Sequence, residues 1–196
     1  FSSPIAAWNL QNNSPDEVVD TLLSVIRANR SLFQRYFQLK AKWVGMDKLQ
    51  RYDIYAPVVQ AEENYAFGEA AALVLHSFHE FDPRIAELAQ RVFDENHFDG
   101  QIRAGKNSGA FCATPVPDLT PWILQNFTGQ LSDVMTMAHE LGHAIHTMLS
   151  AHHPQLTHHA ALPLAETASI FADLLVSDHL LAQDPAPEQQ RALAFD

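Results

Sequence analysis

The sequence predicts a mainly α-helical fold with one small β hairpin, and two observations carry this prediction. Apolar residues recur at helical spacing along most of the chain, whereas a stretch rich in glycine and proline, between Asp99 and Gly129, interrupts that spacing. The 196 residues are 47% hydrophobic and 18% charged, which is a globular composition with enough chain to bury a core.

The first half of the chain is predicted to be helical. Ser14 as a cap, Pro15 at the first helical position and Glu17 three residues beyond Ser14 open a long helix, which runs to about Val44 and stops at Gly45. Residues 52–57 are predicted to be extended, because a residue that precedes a proline avoids helical angles.

Further helices are expected over 67–79 and from Asp82-Pro83 onward. Within the glycine- and proline-rich stretch, residues 110–114 and 122–127 have the composition of two short strands that form the hairpin. Helical spacing then returns over about 131–150 and again over about 164–181.

Charge and cysteine content limit the classes of function. The net charge of −11 and the lack of clustered lysine and arginine argue against a nucleic-acid partner. No apolar run approaches the ~20 residues that cross a bilayer, so no membrane partner is expected. The single cysteine, Cys112, cannot form an internal disulfide, and we therefore expect a cytoplasmic location.

The sequence His139-Glu140-Leu141-Gly142-His143 matches the HExxH pattern. Residues four apart on a helix lie one above the other, so both imidazoles can reach one metal ion, and Glu140 can reach a water molecule beside that ion. Zinc prefers imidazole nitrogen and carboxylate oxygen, and a catalytic zinc site keeps one position open. These side chains lie in an otherwise apolar helix, where a metal ion would offset the cost of their burial.

Three further positions bear on this site. Glu166 begins the next apolar helix, 23 residues after His143, and is the predicted third ligand of one zinc ion per chain. Asp173 lies two turns beyond Glu166 on the same face, where it is either a surface aspartate or the partner of a ligating histidine. Gly142 costs about 1 kcal/mol relative to alanine inside a helix, which the close approach of another backbone or of substrate would justify.

Other residues compete for the position of third ligand. Cys112 could bind zinc as a thiolate, but a lone buried cysteine is more often a small hydrophobe. His146, three residues past His143, could flank the site, but its spacing places it around the side of the helix. The loop histidines are expected to be solvated, although they could take up adventitious metal; they are His152, His153, His158 and His159.

Four stretches of the chain together resemble the oligoendopeptidase F branch of the thimet-oligopeptidase-like zinc metallopeptidases. They run over residues 139–146, 165–171, 105–112 and 48–57. HExxH is shared with many zinc peptidases. Its combination with the downstream Glu-x-x-Ser that starts at Glu166 and the upstream Gly-Lys-x-x-Gly-Ala that starts at Gly105 is more specific.

The resemblance implies a helical zincin-type metallopeptidase core, in which a small β hairpin or sheet lines a deep cleft and short unstructured peptides are cleaved. His139, His143 and Glu166 would be zinc ligands and Glu140 the general base. Asp173 would be a supporting carboxylate where relatives usually have glutamate. Gly109, Ala110 and Phe111 would contact the substrate backbone.

The chain also departs from the pattern of that family. Asn107 stands where relatives often carry a basic residue, which affects local contacts in the cleft. Full chains of the family are several hundred residues longer, and the histidine and tyrosine side chains thought to stabilise the oxyanion lie downstream. Residues 1–196 are therefore expected to be one catalytic-domain segment of a larger oligopeptidase, with weak or no activity alone.

Two other classes of function remain open at this stage. One is a non-catalytic helical domain that binds zinc or peptides in the same cleft. The other is a different HExxH hydrolase, such as an aminopeptidase or a deformylase-like enzyme. The sequence leaves the oligomeric state undetermined.

Overall fold

The computed structural model describes residues 1, 3–56, 58, 64–185, 187, 190 and 193. The chain divides into two compact units, Phe1–Gln60 and Ala61–Asp196. The prediction of a mainly α fold with a small sheet is confirmed.

Among its described residues, the first unit has three α-helices, α1 (Pro4–Gln11), α2 (Asp16–Ala28) and α3 (Arg30–Trp43). The prediction of one continuous helix over this stretch is wrong, because the chain leaves helical geometry at Asn29, where φ is −98° and ψ is 11°. The Asn29 side chain donates a hydrogen bond to the Val25 carbonyl at 2.8 Å, in addition to the bond that this carbonyl accepts from the Asn29 backbone N–H. Gly45, with a φ of +71°, follows α3 as predicted.

Two smaller predictions for this unit are also wrong. Helix α2 begins one residue later than expected, with Pro15 at the cap position and no side-chain capping bond from Ser14. The segment 52–57, expected to be extended, instead begins within a turn of 3-10 helix, Arg51–Asp53. The Asp53 carboxylate accepts a hydrogen bond from the backbone N–H of Gln50. Pro57, the last residue of that segment, lies outside the described residues.

In the described part of the second unit, the main elements are four helices and three strands. The helices are α4 (Phe67–Phe81), α5 (Pro83–Asp94), α6 (Leu131–Leu149) and α7 (Leu162–Ala182). Their apolar faces form one core, centred on buried side chains such as Val74, Phe78, Met137, Leu141 and Val176. Each of these helices was predicted, to within about two residues at its ends for α6 and α7.

The strands β1 (Phe98–Asp99), β2 (Phe111–Ala113) and β3 (Trp122–Leu124) form a sheet in the order β1-β3-β2. β2 and β3 pair antiparallel with Cys112 opposite Ile123, which is the predicted hairpin. β1 pairs with β3 in parallel, and its two residues were too short a pattern to predict. β2 therefore forms an edge of the sheet, and it contacts α6.

Helices α6 and α7 have the most extensive contact of any two elements in this unit. Gly142 lies at their crossing: a Cβ atom placed there would come within 2.8 Å of the Ala168 carbonyl oxygen, the Ala172 Cβ and the Ser169 Cα. The close approach of another backbone, one of the two reasons expected for this glycine, is thus observed. Within the described parts of the chain, no helix combines the length and apolarity that crossing a bilayer requires.

Candidate metal centre

Two helices bring together the residues that the sequence predicted as ligands. Nε2 of His139 lies 3.3 Å from Oε2 of Glu166, and Nε2 of His143 lies 3.7 Å from the same oxygen. One potential ligand atom from each of the three residues lies within 4.8 Å of the other two. Two imidazole nitrogens and a carboxylate oxygen form a donor set that suits zinc, so the residues present fit this ion.

The close packing of α6 and α7 explains why these side chains meet. His139 and His143 are one helical turn apart, and their rings are nearly perpendicular, with an interplanar angle of 85° and centroids 5.0 Å apart. Because Gly142 lacks a side chain, α7 can lie against this face of α6 and present Glu166 to both histidines.

Asp173 and Ser169 of α7 hold two of these side chains. Nδ1 of His139 lies 3.0 Å from Oδ2 of Asp173, a distance at which the Nδ1–H tautomer donates a hydrogen bond and leaves the Nε2 lone pair on the side of Glu166. The hydroxyl of the fully buried Ser169 donates a hydrogen bond to Oε2 of Glu166 at 2.8 Å. Ser169 was part of a motif in the sequence, but its contact with Glu166 was not predicted.

The side chain of Asp173 is largely buried, with 28% of its surface exposed. Burial raises the pKa of its carboxyl group, the hydrogen bond from His139 opposes that shift, and the negative charge of Glu166 adds to it. Its second oxygen, Oδ1, is buried and has no hydrogen-bond partner. Asp173 is therefore directed towards His139 by a single strong contact.

Glu140 is buried next to the histidines, with 6% of its surface exposed. Burial raises the pKa of its carboxyl group to about 7; the charge of His139 lowers this pKa, whereas the charges of Glu166 and Asp173 raise it. A carboxyl group with a pKa near neutrality can both accept and return a proton at physiological pH.

Burial also acts on His143. It lowers the pKa of the imidazole, although the charge of Glu166 opposes the shift. The neutral ring is therefore favoured, and only this form offers a lone pair to a metal ion.

The cleft beside this site has a volume of about 440 Å³, and it is lined by His139, Glu140, His143 and Glu166 among others. Ala110 and Phe111, predicted to bind substrate, form part of one wall, together with Cys112 of the same strand. Gly109 is not among the lining residues; it occupies the turn before β2 with a φ of +81°.

Lys106 fixes the loop that leads into β2. Only 2% of its side chain is exposed, and its ammonium group donates hydrogen bonds to the carbonyl oxygens of Asp99, Gln101 and Gln125 at 2.8, 2.8 and 2.6 Å. It also lies 3.1 Å from the Asp99 carboxylate. The motif contained this lysine, but sequence alone did not indicate that it ties the loop to the other two strands.

The competing ligands lie elsewhere around the site. Cys112 lines the cleft, and burial together with the charge of Glu140 raises the pKa of its thiol to about 12, which disfavours the thiolate. His146 also lines the cleft. Neither belongs to the group of three potential ligands, as judged from the described residues.

The loop histidines differ from one another. His152, His153 and His159 are exposed, as expected. The expectation of a solvated side chain is wrong for His158, which is 4% exposed. Its Nε2 lies 3.1 Å from the Thr147 carbonyl oxygen, and the residue is part of the lining of the cleft.

An HExxH helix whose two histidines are joined by a carboxylate from a neighbouring helix, as the third potential ligand, is typical of metal-dependent peptidases. The sequence pattern of peptidase family M3 matches residues 3–195, and the chain belongs to this family. The predicted resemblance is thereby confirmed.

Two curated relatives illustrate the relationship. The group B oligopeptidase PepB of Streptococcus agalactiae is 30% identical over 173 residues, which cover 88% of this chain and 29% of that protein. The chromosomal oligoendopeptidase F of Lactococcus lactis subsp. cremoris is 28% identical over 194 residues, which cover 98% of this chain and 32% of that protein. The chain thus spans about a third of the length of these relatives.

Solved structures agree with this assignment. A crystal structure from Chlamydophila abortus, described as that of a candidate peptidase, superposes with a TM-score of 0.78 at 29% identity, over 100% of this chain and 33% of that one. PZ peptidase A with an inhibitor superposes with a TM-score of 0.75 at 19% identity, over 87% of this chain and 32% of that one, which supports the fold alone.

Proposed function

We propose that residues 1–196 are the zinc-binding segment of the catalytic domain of a larger oligopeptidase, a zinc endopeptidase that hydrolyses short peptides. The observation that carries the proposal is the convergence of His139, His143 and Glu166 beside a buried Glu140. Membership of peptidase family M3 supports the reaction class, and the names of the oligopeptidase relatives support the size of the substrate. The single cysteine supports a cytoplasmic location.

In this proposal His139, His143 and Glu166 hold one zinc ion per chain. A bound zinc ion supplies Lewis acidity, which makes water a stronger acid and polarises a carbonyl group. Asp173 fixes the tautomer of His139 that keeps Nε2 available, and Ser169 keeps Glu166 oriented.

Glu140 is the general base and then the general acid. Its carboxylate accepts a proton from the attacking water, and the resulting carboxyl group gives that proton to the leaving amine. Burial raises the pKa of Glu140 to about 7 in the metal-free site, and a cation bound to the histidines would lower it, which favours the carboxylate that accepts the proton.

The edge strand β2 positions the substrate. A peptide that extends along β2 and the turn before it can form backbone hydrogen bonds with residues 109–111 while its scissile bond lies near Glu140. Ala110 and Phe111 line the cleft directly, and Gly109 acts through the turn that precedes them.

The first test is the zinc content of the chain and of Glu166→Ala, measured by elemental analysis after dialysis against low free zinc. We expect about one tightly held zinc ion in the chain and much less in Glu166→Ala, because losing one of three ligands weakens a catalytic site. Glu87→Ala, an exposed glutamate of α5, is the matched control and should retain zinc. Equal zinc in Glu166→Ala and the unsubstituted chain would contradict the assignment of Glu166.

The role of Glu140 is tested with Glu140→Gln in a chain extended to the length of the relatives. Zinc content should remain, while cleavage of an internally quenched peptide should fall by about 10²–10⁴, because the amide cannot accept the proton. Retained turnover would contradict this role. The peptide should carry a blocked N-terminus, since cleavage that requires a free or formylated N-terminus would indicate an aminopeptidase or a deformylase-like enzyme.

Binding without cleavage, in the extended chain with zinc bound, would indicate the non-catalytic alternative. The burial and raised pKa of Glu140 weigh against that alternative, because a site that only binds metal has no need of this carboxyl group.

A further inference from the structure

A second cluster of histidine and glutamate side chains lies between α4 and α7. Nδ1 of His179 is 2.6 Å from Oε2 of Glu80, and Nε2 of His76 is 3.4 Å from Oε1 of the same carboxylate. One potential ligand atom from each residue lies within 4.8 Å of the other two, as in the first cluster, which consists of His139, His143 and Glu166. No other such group of three occurs among the residues whose placement is described.

This cluster is separate from the cleft. His179 is 13 residues beyond Glu166 on the same helix, which corresponds to about 20 Å along its axis. None of the three residues lines the cleft that contains His139 and His143. The two clusters share only helix α7.

The spacing on α4 and the packing of α7 against α4 bring the three side chains together. His76 and Glu80 are four residues apart on α4 and so lie on the same face of that helix. The packing of α7 against α4 brings His179 to them, and the rings of His76 and His179 are 5.1 Å apart.

His179, the least exposed of the three side chains, has a polar group at each of its two ring nitrogens. The side chain of His179 is 10% exposed, with Glu80 at one ring nitrogen and the Gln183 side-chain amide 2.8 Å from the other. A ligating histidine usually donates its second ring N–H to an acceptor. Rotation of the Gln183 amide by half a turn presents its oxygen in that position.

We propose that His76, Glu80 and His179 form a second cation site that binds zinc and similar imidazole-preferring divalent ions. Two imidazoles and one carboxylate are the same donor chemistry as in the first cluster. The side chains of His76 and Glu80 are 60% and 55% exposed, so water completes the coordination on the solvent side. Because these two side chains must be ordered on binding, the site is weaker than the one in the cleft.

The test is zinc content at rising free zinc, measured by equilibrium dialysis and elemental analysis. The chain should reach about two zinc ions, and His76→Ala should stop at about one, because it retains only the cleft site. His79→Ala, an exposed histidine on the same helix, is the matched control and should still reach two. Identical uptake by His76→Ala and the unsubstituted chain would overturn the proposal.

Two further variants separate this site from the alternatives. In a Glu166→Ala background, His76→Ala should still remove one equivalent of zinc, so failure of the cleft assignment leaves this result unaffected. Glu80→Gln, which keeps the size of an exposed side chain, should weaken the second equivalent at least about tenfold. Loss of that equivalent in His152→Ala/His153→Ala instead would assign it to adventitious binding by the loop histidines and overturn the proposal.

Discussion

Among single residues, Asp173 favours the Nδ1–H tautomer of His139, which in the proposed site leaves Nε2 available to the metal ion. Its Oδ2 atom lies 3.0 Å from Nδ1, so the proton on that nitrogen has a charged acceptor. The opposite nitrogen, Nε2, then carries the lone pair and lies 3.3 Å from Glu166. The carboxylate also places negative charge next to Nδ1, which makes Nε2 a stronger electron-pair donor to a metal ion.

We expect Asp173→Ala to weaken zinc binding about 10–100-fold without removing a ligand, because His139 loses the group that fixes its tautomer. Competition with a chromophoric chelator measures this affinity directly. Asp178→Ala, an exposed aspartate on the same helix, is the matched control. An affinity for zinc equal to that of the unsubstituted chain would show that Asp173 does not support His139.

Sequence spacing could place the candidate residues but not their contacts. His139 and His143 are four residues apart on one helix, so their spacing suffices to predict that they share a face, with Glu140 about 100° around the helix from His139. Glu166 and Asp173 come from a separate helix, and whether they meet the histidines depends on how α7 packs on α6. The contact of Ser169 with Glu166 depends on the same packing, and so does the His76–Glu80–His179 cluster.

Among secondary-structure elements, the contact of α6 with α7 depends on Gly142. A methyl group at this position would meet the backbone of α7 at Ala168 and Ser169 and the side chain of Ala172, each at 2.8 Å. Backbone atoms cannot rotate away as a flexible side chain can, so the two helices would have to separate. Their separation would also move Glu166 and Asp173 away from the histidines.

Gly142→Ala should therefore destabilise the chain by about 1–3 kcal/mol, although alanine is the better helix former. It should also weaken zinc binding. Gly68→Ala is the matched control, because Gly68 lies in α4 with no atom within 4 Å of the added Cβ, and it should be neutral or stabilising by up to about 1 kcal/mol. Urea unfolding measures the free energy of unfolding of both variants. A Gly142→Ala variant as stable as the unsubstituted chain would contradict the proposed role of Gly142.

The elements differ in how well sequence predicted them, and the reasons are local. Helices α6 and α7 are long and largely apolar, and both were predicted closely. The break between α2 and α3 rests on one asparagine in an otherwise periodic stretch, where the spacing of apolar residues gives no warning. Strand β1 has two residues and forms only because β3 offers it a partner, so its signal lies outside its own sequence.

Across the whole chain, stability without metal is coupled to the site through Glu140. Burial raises the pKa of this carboxyl group from 4.5 to about 7, so between these values the folded chain binds more protons at Glu140 than the unfolded chain does. This contribution to stability is complete below about pH 4.5 and is lost as the pH rises through about 7. His143 acts in the opposite direction, because burial lowers its pKa and its contribution is lost as the pH falls.

Glu140→Gln should therefore stabilise the metal-free chain more at about pH 8.5 than at about pH 5, by on the order of 2–3 kcal/mol, because glutamine carries no charge to bury. The contribution of His143 is common to both proteins and cancels in this difference. Urea unfolding in the presence of a chelator measures it, in a Trp8→Phe/Trp43→Phe background, so that the remaining tryptophan, Trp122 of β3, reports on the unit that contains the site. The same stability difference at both pH values would contradict the coupling. A difference that grows with pH and disappears when zinc is added would connect the cost of burying this carboxylate to the ion that the neighbouring histidines are proposed to hold.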